Sequence, residues 1–236
     1  MKTIIHKAGD RGHVNFGWLD SHHSFSFGHY NDPNKMNFGA LRVLNDDVVS
    51  GGGGFGKHPH DNMEIISIPI SGNLEHQDNT GTKAVIRQND VQIMSAGTGI
   101  EHSEKNHSQV HPVNFLQIWI IPKARNIKPR YDQKSFSEED RHNKFFTVVA
   151  PDSDSAVWIN QDCWISLGNL DAGKKEVYPL HKEGNGVYVF VLKGSIKVAG
   201  EKLGEKDAIG IYNTSEFEIE TITDSELLLI DVPMSL

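Results

Sequence analysis

An all-β protein made of two similar units is the fold class this sequence predicts, and three observations carry the expectation. Short apolar or alternating runs rich in β-branched and aromatic residues recur along the chain, among them MEIISIPI, FLQIWII, VYVFVL and ELLLIDV. Turn-forming groups such as SGN, NTG, AGTG, GNG and KGS separate them, the punctuation of short strands joined by tight turns. No window sustains a helical period of apolar residues, so a sandwich or barrel fits.

A weak internal repeat divides the chain. The stretch ISIPISGNLEHQDNTGTKAVIRQNDVQIM lies beside VFVLKGSIKVAGEKLGEKDAIGIY as strand, glycine turn, strand and second turn. In each an acidic residue, Asp90 or Asp207, then precedes an apolar strand. Between them PKARNIKPRYDQKSFSEEDRHNK is polar, holds two prolines and reads as the connection. The expected units are residues 1–133 and 134–236.

Composition narrows the function classes. Of 236 residues, 37% are hydrophobic and 23% charged, as in folded globular proteins. A net charge of −8 offers no basic footprint for a phosphate backbone, so direct nucleic-acid binding is not expected. The start, MKTIIHKAGDRGH, lacks an apolar signal core, and no stretch approaches the ~20 apolar residues of a bilayer span. A cytoplasmic location without membrane contact is the expectation. With Cys163 as the single cysteine, an internal disulfide or thiolate zinc cluster is excluded. Thirteen histidines leave nitrogen and oxygen ligands for any metal.

Two short motifs carry the chemistry. In GKHPHDNMEI, His58 and His60 lie at i and i+2, so on a strand both imidazoles face one way while Pro59 faces the other. HPH alone fits a metal site or a pair of exposed histidines equally well. AGTGIEHSEKN adds a second pair at the same spacing, His102 and Glu104, after Gly97 and Gly99. Two such pairs on neighbouring strands can enclose one ion, and three histidines with a carboxylate suit a divalent first-row metal. On a strand running on from His58, Glu64 shares the histidines' parity; it reads either as a residue orienting a ligand or as an ordinary strand glutamate. His22 and His23, among Trp18, Phe25 and Phe27, read as core with a minority touching any pocket. His76 in EHQDNTG, beside Glu75 and Asp78, is a weak candidate for a second metal. The GGGGFG run lacks the GK[ST] ending of a phosphate loop and reads as a flexible approach to a strand.

The segments GWLDSHHSFSFGHY, LRVLNDDVV, GFGKHPHDNMEI, GNLEHQDNTG and VQIMSAGTGIEHSEKN, taken in order, resemble the pirin family of bicupins. The general cupin pattern maps onto Gly52, His58, His60, Glu64 and Gly72, with one residue more before the last glycine. The resemblance implies two tandem jelly-roll barrels, with metal held by His58, His60, His102 and Glu104 in the first. Glu64 is a ligand in many cupins and not in pirins. The second unit looks degenerate: His181 stands where HxH would begin, its partner position holds Glu183, and no metal is expected there.

What the resemblance implies about function is a dioxygenase of the quercetinase type, with one divalent metal, Fe(II) before others. Flavonol-like substrate and dioxygen are the expected partners, and Glu104 the residue that takes the substrate's hydroxyl proton. The family's other expectation is an iron-containing, redox-responsive regulator that contacts partner proteins without turnover. A third is a cupin acting on another small enolisable metabolite.

Overall fold

Alternation along the long strands decides the layering, because neighbouring side chains leave opposite faces of a sheet. The computed structural model describes residues 1–235. Its first half holds β1 (Lys2–His6), β2 (Gly12–Asn15), β3 (Leu19–His23), β4 (Leu41–Val49), β5 (Gly54–His60), β6 (Glu64–Ser71), β7 (Leu74–Asp78), β8 (Lys83–Ile86), β9 (Asp90–Ser95), β10 (Ile100–Asn106), β11 (Val113–Ile120) and β12 (Arg130–Ser135). The second half adds β13 (Phe146–Ala150), β14 (Val157–Trp158), β15 (Trp164–Leu170), β16 (Lys175–Pro179), β17 (Asn185–Lys193), β18 (Ile196–Val198), β19 (Glu201–Leu203), β20 (Ala208–Tyr212), β21 (Glu216–Thr221) and β22 (Ser225–Pro233). Among the described residues, no helix is long and apolar enough to cross a membrane.

Each unit pairs a seven-stranded sheet with a four-stranded one. The first unit has β12-β9-β6-β11-β4-β3-β2 facing β5-β10-β7-β8, and the second has β1-β20-β17-β22-β15-β13-β14 facing β16-β21-β18-β19. Hydrogen bonds do not join the two sheets of a unit, so each is a jelly-roll sandwich rather than a ladder closed into a ring. The repeat read in the sequence is this duplication.

The units exchange strands reciprocally. β12, in the polar connection, docks on β9 from Arg130↔Ser95 to Ser135↔Asp90. β1 in turn docks on β20 of the second unit, from Lys2↔Tyr212 to His6↔Ala208. Each covers backbone groups that would otherwise form an open sheet edge. The division expected after residue 133 therefore falls inside β12, and the chain's first strand belongs to the second unit's sheet.

Between the two large sheets lies the shared core, with Leu44, Ile66, Leu116 and Ile118 against Tyr188, Phe190, Leu228 and Ile230, all at most 1% exposed. Burying each aliphatic or aromatic side chain of this kind contributes about 1.5–3 kcal/mol. The opposite parity of the same strands faces the small sheet. On β11, Leu116 and Ile118 enter the shared core, whereas Phe115 packs toward β7 and β8 and Gln117 faces a cavity between the first unit's sheets.

Candidate metal centre

β10 carries its alternate residues Ile100, His102, Glu104 and Asn106 inward, all buried, while Glu101 and Lys105 are exposed. β5 runs antiparallel beside it with His58 opposite His102 and His60 opposite Ile100. The register slips between His102 and Glu104, where Phe55 becomes Glu104's partner, so β5 carries an extra residue there. Such a bulge re-aims side chains at the rim of a site. The GGGGFG run enters this strand: Gly54 is β5's first residue, and a Cβ on it would lie 2.5 Å from the carbonyl oxygen of Glu104. Close strand approach, rather than flexibility, requires that glycine.

Three of the four expected ligands meet. Ring centroids are 4.8 Å apart for His58 and His60, 4.4 Å for His58 and His102, and 4.9 Å for His60 and His102. One ligand nitrogen from each lies within 4.8 Å of the others. Glu104 clusters within the same span of His102 and His76, and it lines the same cavity as His58 and His60. Its Oε1 accepts from the Ser67 hydroxyl (3.1 Å) and its Oε2 from the Gln117 amide (2.7 Å). His58 Nδ1 is satisfied by the Gly56 carbonyl (2.8 Å), which leaves Nε2 as its free lone pair.

The donor set fits a divalent metal on the evidence of one atom: Nε2 of His102 is buried without a hydrogen-bond partner. Leaving a buried polar atom unpaired costs about 1–3 kcal/mol, a cost that a metal accepting this lone pair between His58 and His60 would remove. Burial, with repulsion from His58, holds His60 at about 4; burial with His58, His60 and His76 holds His102 at about 2. Both rings are therefore neutral near pH 7, the state that ligates. Burial pushes the Glu104 carboxyl up, against the opposing pull of His76 and Ser67.

The centre opens onto a cavity of about 270 Å³. Phe16, Leu19, Phe27, Phe55 and Trp119 form its apolar walls, and Trp119 stands edge-on to the His60 ring at 5.0 Å. Asn45, Asp47 and His23 add polar groups. Burial raises Asp47 to about 7 although Ser21 donates to it, and burial lowers His23 to about 4. Adjacent acids part by parity: Asp47 faces the cavity, while Asp46 turns to Lys206 of the second unit at 3.1 Å. Sequence reasoning passed over Asn45, Asp47 and Gln117. The signal was polar residues inside apolar strands, LRVLNDDVV and FLQIWII, where an inward side chain needs a polar reason.

Glu64 is corrected. The strand from His58 ends at His60, the chain bends at Asn62 (φ +44°), and Glu64 begins β6, so parity counted across the bend is void. Glu64 shares its face with Ile66 and Ile68 and points toward the second unit. There its carboxylate accepts from Ser95 Oγ (2.7 Å) and the Asn160 backbone N–H (3.2 Å). It is a tie between units, and burial raises it to about 7. A carboxyl raised above its unfolded value of ~4.3 stabilises the fold fully below that value, and the contribution is lost as pH rises through the folded value. Wild type should therefore lose about 3 kcal/mol relative to Glu64→Gln between pH ~4 and ~8, read by urea unfolding across that range.

The remaining histidines divide. His23 and Phe27 line the cavity, Phe25 is core at 1% exposed, and Trp18 is partly exposed against Phe55. His22 lies on the hairpin's other face, stacked on His13 at 4.4 Å. His76 is buried between Asp78 and His102. His181 donates from Nδ1 to Asp231 Oδ2 (3.0 Å) and stacks on Trp164, whereas Glu183 is exposed.

Two jelly-roll units with exchanged strands, one holding an HxH strand against an HxE strand over a cavity, define a bicupin with a candidate metal centre in its first unit. The chain belongs to the pirin family: residues 5–120 match Pirin, and residues 147–232 match the quercetinase C-terminal cupin domain. It is 42% identical over 230 residues to quercetin 2,3-dioxygenase of Escherichia coli K12, covering 97% of this chain and 98% of that protein. It is 40% identical to a pirin-like protein of Caulobacter vibrioides, over 93% and 95% of the two chains. The crystal structure of the bacterial pirin YhhW from Escherichia coli in complex with nickel(II) superposes with a TM-score of 0.93 at 41% identity, covering 98% of this chain and 99% of that one.

Proposed function

We propose that this chain is a pirin-type, metal-dependent dioxygenase that opens flavonols such as quercetin, with Fe(II) as its working metal and His58, His60, His102 and Glu104 as ligands. The observation that carries the reading is the unpartnered, buried Nε2 of His102, whose ring packs against His58 and His60 where they line an aromatic-walled cavity. Nitrogen and oxygen donors without sulfur suit iron(II) and its divalent neighbours. When bound, such a metal supplies a Lewis acid for an enolic hydroxyl and electron exchange with dioxygen.

The chain's own residues supply the rest. Phe27, Phe55 and Trp119 offer flat apolar surfaces for a planar polyphenol, and the cavity lies near the lower end, ~300 Å³, of small-molecule pockets. Glu104, raised by burial, takes the proton from the flavonol's 3-hydroxyl. Ser67 and Gln117 hold that carboxylate in place by donating to one oxygen each. Exclusion of water by the apolar walls keeps the resulting anion reactive toward dioxygen. His102 and Glu104 are 2% and 1% exposed, and Glu104 lines the cavity with His58 and His60 rather than an outer surface. This supports turnover of a small molecule over a switch read by a partner protein.

Iron-loaded protein in an oxygen electrode, offered a panel of flavonols beside a known quercetinase, tests this. Uptake that depends on flavonol is the expected result. Uptake by the control alone would remove the proposal.

A further inference from the structure

The EHQDNTG segment sits directly behind the metal centre. β7 pairs with β10 so that His76 is opposite Glu104 and Asp78 opposite His102. The side chains of His76 and Asp78 are 1% and 0% exposed. Asp78 Oδ1 is saturated: it accepts from the Thr80 N–H (2.9 Å), the Thr80 hydroxyl (2.6 Å) and the Thr82 N–H (3.1 Å). Its Oδ2 remains for His76 Nε2 at 3.0 Å. His76 Nδ1 then faces His102 Nδ1 at 3.4 Å, a long contact, and no protein group reaches His102 Nε2.

We propose that Asp78 and His76 are positioning residues that fix the tautomer of His102 and hold its Nε2 as a bare lone pair toward the metal. A carboxylate only accepts, so the nitrogen of His76 that faces Asp78, Nε2, is the one that bears the proton, and Nδ1 is left to accept. His102 meets that acceptor with a proton on Nδ1, which strips Nε2. The turn Asp78–Thr82 anchors the sequence of bonds from its far end. The EHQDNTG motif thus orients a ligand and does not build a second centre, as outer partners of ligating histidines do elsewhere. This inference rests on the reading of His102 as a ligand.

Asp78→Asn gives the decisive variant. Three donors converge on the Oδ1 position and hold the amide oxygen there, so the NH₂ must face His76 Nε2. His76 then becomes a donor at Nδ1, His102 an acceptor at Nδ1, and the proton moves to His102 Nε2, where it blocks the metal. His76→Phe removes the constraint without imposing the wrong tautomer. Nickel(II) affinity, measured by competition with a chromogenic chelator, should fall about 10–100-fold in Asp78→Asn and by less in His76→Phe. A merely structural role predicts the reverse order, since Asn is the smaller change.

Long-range proton–nitrogen correlation NMR on metal-free wild type, above the imidazole pKa of ~6.5, should show His102 protonated at Nδ1. Protonation at Nε2 would overturn the proposal without any variant. So would wild-type nickel affinity in Asp78→Asn when His102→Ala has lost the metal. Nickel retained by His102→Ala is a different pattern: it overturns the ligand assignment and this inference with it.

Discussion

His102→Ala is expected to reduce bound metal from one per chain to a trace and flavonol-dependent dioxygen uptake by more than about 100-fold, beyond what loss of an outer partner costs. His102 is the hub of the arrangement: its ring packs against His58, His60 and His76, and its Nε2 has no hydrogen-bond partner. Stability should move the other way or hardly at all. The substitution deletes an unsatisfied buried nitrogen, whose cost of about 1–3 kcal/mol offsets the lost packing of one ring. Metal analysis beside thermal melting of the metal-free protein reads both effects. A variant that melts far below wild type would mark His102 as structural instead.

The second large effect concerns the turn that launches β10. Gly97 has φ +49°, and a Cβ there would lie 2.1 Å from the carbonyl oxygen of Ile127. That turn ties three segments together: Asn62 N–H donates to Gly97 O, Ala96 N–H to Met63 O, and Thr98 N–H to Ile127 O. Gly97→Val combines left-handed strain with a backbone clash and should cost about 3 kcal/mol or more. For a chain of this size that is roughly 10 °C in melting temperature. Gly9→Ala, with nothing within 4 Å of the added Cβ, should be neutral in the same melt. Because the turn links the end of the His58–His60 strand to the start of the His102–Glu104 strand, Gly97→Val protein that does fold should also bind nickel more weakly.

Much of the site was legible because period-two spacing is local. HxH and HxE state in three residues which side chains share a face, and the structure brings His58, His60 and His102 together on adjacent strands. Strand runs and turn glycines likewise gave two β units. What local spacing does not encode is where one strand stops: Glu64 was read through a bend at Asn62 that no apolar pattern announces. Nor does it encode which partner a strand finds across 200 residues, as in the pairing of β1 with β20. The buried relay through His76 depends on register between β7 and β10, and its acidic, turn-rich sequence looks like surface. Asp47 was hidden beside Asp46, since only sheet parity separates a cavity acid from one that meets the second unit.

The most direct test of flavonol dioxygenation is a product balance: iron-loaded wild type turning over quercetin under isotopically labelled dioxygen, with gas analysis. One carbon monoxide is expected for each dioxygen consumed, with both labelled atoms in the ring-opened product. Dioxygen reduced without carbon monoxide, or label recovered only in water, would contradict it.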